Sequence, residues 1–260
     1  MQFARFFRQA GSVLALCTIA ATSAVALYAQ RTPAPVNLEV AFHDYLMNHP
    51  DVLIEMTAKL QREQAKQAIE NNRDELAAID GVPVEGAGDA DVTLVEFYDV
   101  RCGYCKAMAP TLDRALKEDR RFRVIFREYP ILSEESVLAA KAELAAQLQG
   151  KFAPLHSALM ADRSAPHQLD EKKIIDYAAA AGIDTATLLK DMASPAIEKQ
   201  IADNRALAAK LGVAGTPGLI FLGQSHTDDD LNPGMLEYDA LVAKLAQMRH
   251  IITATTVHQG

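Results

Sequence analysis

The chain has 260 residues, half of them hydrophobic, no Trp and a formal net charge of −8. That length and apolar content can bury the core of one large domain with an appendage. The acidic balance leaves no electrostatic basis for binding nucleic acid, and the three cysteines are too few for a scaffold stapled by disulfides.

The N-terminus, residues 1–29, reads as an export signal. Arg5 and Arg8 supply positive charge, Ala10 to Ala29 is uncharged, and Ala24-Val25-Ala26 offers a small-x-small cleavage site. The same run is long enough to span a bilayer, so an uncleaved anchor is the alternative. In both cases the body faces an oxidising, extracytoplasmic space, the periplasm of a Gram-negative cell. Cys17 lies in this stretch; its removal leaves Cys102 and Cys105 as the cysteines of the mature chain.

Residues 30–80 form a second segment. Gln30 to Val36 is a Pro-containing linker, and Asn37 to Leu76 has helical periodicity, with Ala41, Tyr45, Leu46, Val52, Leu53, Met56 and Leu60 at three- and four-residue spacing. Pro50 divides the stretch into a short and a long helix. Beyond Leu60 the apolar positions thin out to Ala65, Ala68, Ile69 and Leu76. So narrow a stripe cannot stabilise a long helix alone. It must lie on the rest of the protein or pair with a copy of itself, which makes the segment a candidate for homo-oligomerisation.

The catalytic domain is expected over 81–250. Asp80 to Asp91, with Gly81, Pro83, Gly86 and Gly88, reads as a hinge. Val92 to Tyr98 is a buried strand, Gly103 to Lys117 a helix interrupted by Pro110, and Phe122 to Tyr129 a second strand. A block of helices fills 133–211, opened by the N-cap Ser133 and closed at Gly212. Gly215-Thr216-Pro217-Gly218 leads into a strand over Leu219 to Leu222. A short fourth strand near Asn232 to Leu236 and a helix from Leu236 to Arg249 follow, then a flexible tail over 251–260.

The chemistry centres on Cys102-Gly103-Tyr104-Cys105, where a strand runs into a helix. Cys-x-x-Cys in that position reads as a reversible dithiol. Disulfide exchange needs a thiolate, and the positive end of a helix dipole with its unpaired N–H groups stabilises one. Cys102 is the expected exposed nucleophile and Cys105, one turn on, the buried resolving thiol. Gly103 is expected to let the turn close, and Tyr104 to project near the sulfurs and touch substrate. Glu96 stands in the apolar run Leu94-Val95-Glu96-Phe97, where a carboxylate needs a function or a partner; a solvated place on an edge strand is the alternative. Lys106 could pair with Glu96, stabilise the thiolate or lie on the surface, and Arg101 adds positive charge beside Cys102. Zinc is not expected, because no second cysteine or histidine pair stands at ligand spacing, whereas Cu(I) suits two soft thiols. His226-Thr227-Asp228-Asp229-Asp230 reads as a solvated acidic loop.

The order strand–helix–strand, helical block, strand–strand–helix, with Cys-x-x-Cys ending the first strand, resembles the thioredoxin fold with the helical insertion of the DsbA family, over Asp91 to Arg249. The fold class expected is therefore α/β, a thioredoxin fold with a helical insertion after an N-terminal helical segment. The Cys-Gly-Tyr-Cys run and Thr216-Pro217 resemble the periplasmic isomerase DsbC. With the export signal and N-terminal helices, the whole is similar to the suppressor-of-copper-sensitivity C proteins. The resemblance implies a cis bond at Thr216-Pro217 that positions an extended substrate strand beside the cysteines, and a proton-transfer role for Glu96 at Cys105. It also implies a thiol–disulfide oxidoreductase without dissociable cofactor or metal. Its partners would be exported proteins with thiols or disulfides and a membrane reductase or oxidase. Isomerase or reductase is the favoured direction. Dithiol oxidation, or Cu(I) binding by a chaperone-like protein, is the alternative.

Overall fold

The computed structural model describes residues 37–165, 167–224 and 229–257. The expected export signal or anchor at 1–29 with Cys17, the expected linker to Val36, and His226 to Asp228 lie outside the described residues. Among the described residues no helix is long and apolar enough to cross a membrane.

The chain divides into two compact units between Ala58 and Lys59. In the first unit, α1 (Leu38–Asn48) is capped by Asn37, whose side chain accepts from Glu39 N and Val40 N, and buries none of its residues. α2 (Pro50–Asn71) starts at the proline that separates it from α1 and crosses the unit boundary. Leu38, Phe42, Tyr45, Met47, Ile54 and Met56 are exposed.

In the second unit, Ile69 of α2 and Leu76 of α3 (Arg73–Ala77) are fully buried. They pack in one core cluster with Val95, Ile125, Leu207 and Ile220. Ile69 and Leu76, two of the sparse apolar positions past Leu60, therefore belong to the core of the second unit. Arg127 anchors α3 from the sheet: its Nη2 donates to Glu75 O at 2.7 Å and Ala78 O at 3.1 Å, satisfying carbonyls at the helix end.

The sheet has five strands in the order β1-β3-β2-β4-β5: β1 Val84–Gly86, β2 Val92–Tyr98, β3 Phe122–Glu128, β4 Gly218–Leu222 and β5 Asp230–Pro233. β2 and β3 are parallel and the remaining pairings antiparallel. β2 is central and buried along its whole length, because helices cover both faces; that is why its sequence is a continuous apolar run. Leu94, Tyr98, Val124, Phe126, Leu219 and Phe221 look into one core, and Val95, Phe97, Ile125 and Ile220 into the other. α4 (Gly103–Glu118) crosses from β2 to β3. The insertion, α5 (Glu134–Leu148), α6 (Phe152–Ala161), α7 (Glu171–Ala180), α8 (Thr185–Met192) and α9 (Pro195–Lys210), separates β3 from β4.

Three expectations change. The hinge contains β1, an edge strand whose Val84 pairs with Ile125 of β3; three residues are too few for a periodicity to register. α10 (Tyr238–Val257) continues past Ile252, into the residues expected to be a flexible tail. In the supposed acidic loop, Asp229 is buried and paired with Arg73 at 2.7 Å, and accepts from Gly223 N at 2.9 Å. Asp230 pairs with Lys244 at 2.6 Å.

Gly86 shows how tightly β1 sits on the sheet. Its φ is +106°, and a Cβ there would meet Phe122 O and approach Arg123 Cα at 2.8 Å. Gly86→Ala should therefore cost about 3 kcal/mol of unfolding free energy in urea melts. Gly88→Ala, which meets nothing within 4 Å, should stay within about 0.5 kcal/mol. Equal stability of the two variants would contradict the close approach of β1.

Candidate active site

Cys102 is the N-cap of α4, with extended backbone, and Cys105 faces it across the first turn. Both thiols are free. The turn before them is fixed by Asp99, which is fully buried. Its backbone carbonyl accepts from Cys102 N at 2.9 Å. Its Oδ1 accepts from Arg101 N at 2.8 Å, and Oδ2 from Ile131 N and Leu132 N at 2.9 and 3.0 Å. One carboxylate thus ties the redox turn to the loop after β3. Sequence reasoning missed Asp99. A side chain bonding the backbone two residues on is a recognisable turn signal, but the bonds to 131 and 132 exist only once β2 and β3 pair.

The flanking cations do not serve the sulfurs directly. Lys106 is buried, and its Nζ donates to Leu159 O at 2.8 Å and Asp162 O at 2.7 Å; it pairs neither with Glu96 nor with solvent. Burial pulls its ammonium down to about 8, against the pull of Asp162. Arg101 pairs with Glu135 at 3.3 Å and Asp162 at 3.5 Å. Both therefore anchor the start of α4 to the insertion. Pro110 lies within α4.

Cys102 retains 7 % of its surface and Cys105 none. The order is the expected one, but Cys102 is narrowly accessible rather than open. As a thiol, Cys102 Sγ donates to Thr216 O at 3.1 Å. As a thiolate it accepts from the Cys105 thiol, the Thr216 side chain and the backbone N–H groups of Cys105 and Tyr104; the first of these contributes most, and together they outweigh burial and bring Cys102 down to about 5. The same bond works in reverse on Cys105, whose thiol is pushed far above its usual range by donating to Cys102, by burial and by the charge of Glu96. Glu96 is 2 % exposed. Burial raises its carboxyl to about 7, His156 pulls it down, and Cys102 and Glu143 push it up. Its place on central β2 removes the edge-strand alternative.

Thr216-Pro217 is a cis peptide bond. It lines a groove with Gly212 to Gly218, Leu231, Pro233 and Gly234; the Pro217 carbonyl accepts from Gly234 N at 2.9 Å. Tyr104 is 67 % exposed. Gly103 is also exposed, at the first position of α4, and a Cβ there meets nothing within 4 Å, so the turn does not require glycine. Among the described residues no group of three or more His, Cys, Asp or Glu side chains could hold a metal ion.

Iodoacetamide alkylation of the reduced protein tests this electrostatic split. Cys102 should react with a midpoint near pH 5, and mass mapping of the singly alkylated wild-type protein should place the label on Cys102 and leave Cys105 unmodified. A Cys102 midpoint near that of free cysteine, about 8.5, would contradict it.

The comparisons with known proteins agree with this geometry. The DSBA-like thioredoxin domain model matches residues 93–246, and the N-terminal domain of copper resistance protein ScsC matches residues 38–67. A thioredoxin-like oxidoreductase from Silicibacter pomeroyi superposes with a TM-score of 0.62 at 37 % identity, covering 69 % of this chain and 98 % of that one. The catalytic domain of Proteus mirabilis ScsC gives 0.61 at 29 %, covering 70 % and 97 %. A periplasmic thioredoxin-like protein from Salmonella enterica serovar Typhimurium gives 0.59 at 30 %, covering 66 % and 92 %. Among curated proteins, the Na(+)/H(+) antiporter NhaA of Herminiimonas arsenicoxydans is 32 % identical over 143 residues, and the matched part spans 22 % of its length. With Cys-x-x-Cys at the start of a helix, a cis-proline groove beside it and a helical insertion, the chain belongs to the DsbA-like thioredoxin domain family.

Proposed function

We propose that the protein is a periplasmic thiol–disulfide oxidoreductase acting on exported proteins. The single observation that carries the reading is the placement of the two sulfurs: Cys102 at the N-cap of α4, 3.1 Å from the Thr216 carbonyl before the cis proline, and Cys105 buried one turn on. The Cys102 thiolate attacks a substrate disulfide, one substrate sulfur leaves as a thiolate, and a mixed disulfide forms. Cys105 then gives its proton to Glu96 and attacks Cys102 Sγ, releasing the second substrate sulfur. Glu96, raised to about 7, is matched to that proton transfer at neutral pH. Thr216 and Pro217 flank an extended substrate segment, and exposed Tyr104 offers it an aromatic surface. The electrons reside in the protein's own dithiol, so no dissociable cofactor is needed, and a membrane reductase or oxidase resets it.

The direction we favour is isomerisation or reduction. Support comes from the Gly103-Tyr104 dipeptide, from Thr216 before the cis proline, and from the apolar residues Leu38, Phe42, Tyr45 and Met47 exposed on α1. A helix that exposes such residues in water gains by covering them with a second copy, and an oligomer would present several dithiols around one misfolded client. Copper binding is the second reading. The match of residues 38–67 to a copper resistance protein domain favours it, and the two soft thiols would be the ligands.

Trapping separates these readings. Cys105→Ser should accumulate reductant-sensitive adducts with exported proteins, and Cys102→Ser should form none. The wild-type protein should rescue scrambled ribonuclease, and Phe42→Glu should reduce both that rescue and the mass seen by light scattering while leaving Cys102 alkylation unchanged. Absence of adducts together with dithiol-dependent Cu(I) binding would overturn the enzyme reading in favour of the copper one.

A further inference from the structure

Behind the dithiol lies a buried polar cluster that the reaction as described does not use. Glu96 and Tyr98 are two apart on β2 and so share one face; across β3 they pair with Phe126 and Glu128. His156 of α6 sits over this patch, its ring 5.1 Å from that of Tyr98 and 4.9 Å from that of Phe126. Its Nδ1 is 3.0 Å from Glu143 Oε1 of α5. Tyr98 Oη is bonded to Glu128 Oε1 and lies 2.7 Å from Glu143 Oε2.

Proton counting fixes the state of this cluster. One hydroxyl hydrogen cannot serve two carboxyl groups, so one of the two contacts is made by a carboxyl proton. Burial keeps that proton on Glu128, while His156 holds Glu143 ionised. Burial pulls the imidazole of His156 down, and the charge and hydrogen bond of Glu143 outweigh it and push it up. The imidazolium is also felt by Glu96 on β2 and by Glu85 on β1.

We infer that His156, tethered by Glu143, is the positioning residue that governs when Glu96 can take the proton of Cys105. The inference rests on the oxidoreductase reading. In the step concerned, the Cys105 S–H proton moves to the Glu96 carboxylate and the Cys105 sulfur attacks Cys102 Sγ. The Cys102–Cys105 bond forms, the bond to the substrate sulfur breaks, and that sulfur departs with the electron pair. The substrate disulfide is thereby reduced and the dithiol oxidised; the proton on Glu96 passes to the departing thiolate or to water. The groups facing Glu96 are Cys102 and Cys105 from α4, Glu143 from α5 and His156 from α6. Those facing His156 are Tyr98, Glu143, Glu96 and Glu85; Lys106 lies within the field of Glu143. His156 is the cation that acts on Glu96. Without it the carboxylate is less favoured, and the base form of Glu96 appears at higher pH.

The test measures release of a preformed mixed disulfide against pH in the wild type and in His156→Gln. The release profile should move up by about one pH unit, which is about tenfold slower release below the midpoint, while Cys102 alkylation keeps its midpoint. A folded His156→Gln whose release profile superimposes on the wild type overturns the inference. A wild type that forms no mixed disulfide at all overturns instead the oxidoreductase reading. A second measurement does not depend on that variant or on activity. Coupling is reciprocal, so in the Glu96→Gln protein the His156 imidazole, followed by NMR, should titrate at lower pH than in the wild type. An unchanged titration overturns the inference even if His156→Gln does not fold.

Discussion

The hydrogen bond from the Cys105 thiol to the Cys102 sulfur is the interaction on which the site depends. It is the largest cause of the shift on both cysteines, with opposite sign. Two residues in the first turn of one helix can make it because positions three apart lie on one face. The bond has force only where water is excluded, and the two sulfurs retain almost no surface. The backbone N–H groups of Tyr104 and Cys105 add what any helix start supplies. Burial alone would have raised both thiols; directed donors bring Cys102 down instead.

The remainder of the domain keeps that turn still. Asp99 ties it to the loop after β3, and Arg101 and Lys106 tie it to the insertion around Asp162. Asp162 is itself held by Lys173 at 2.9 Å and Tyr177 at 2.9 Å, and its hydrogen bonds keep its carboxyl well below the usual range against burial. Breaking a buried pair by removing one partner typically costs about 3–5 kcal/mol. The insertion is therefore part of the active site's frame. The same insertion supplies Glu143 and His156, whose charges act on Glu96.

The fold and the dithiol were largely legible in the sequence, because they rest on local signals. An apolar run buried on both faces, Cys-x-x-Cys at a strand-to-helix junction, Pro50 between two helices and the cap Ser133 each act within a few residues. What was not legible depends on pairing across the chain. β1 is three residues long and exists only against β3. Asp229 looked like part of a charge run and is instead the partner of Arg73, 156 residues away. Lys106 looked free to serve the thiolate, yet the insertion supplies two carbonyls to its ammonium. Tyr98, Glu128, Glu143 and His156 come from four separate elements, and no spacing announces them.

The central claim is that folding stabilises the Cys102 thiolate, and the stability of the reduced protein against the oxidised one tests it most directly. Cys102 lies at about 5 in the folded state, against about 8.5 for free cysteine. A depressed value contributes stability that is complete above the ordinary value and is lost as pH falls towards the folded one. Cys105, shifted upward, contributes evenly across that window, and the burial of Glu96 is shared by both redox forms. In urea melts, the reduced protein should exceed the oxidised protein in stability at pH 8, with the gap closing as pH falls to about 5. An oxidised protein that is the more stable form at every pH in that window would contradict the account.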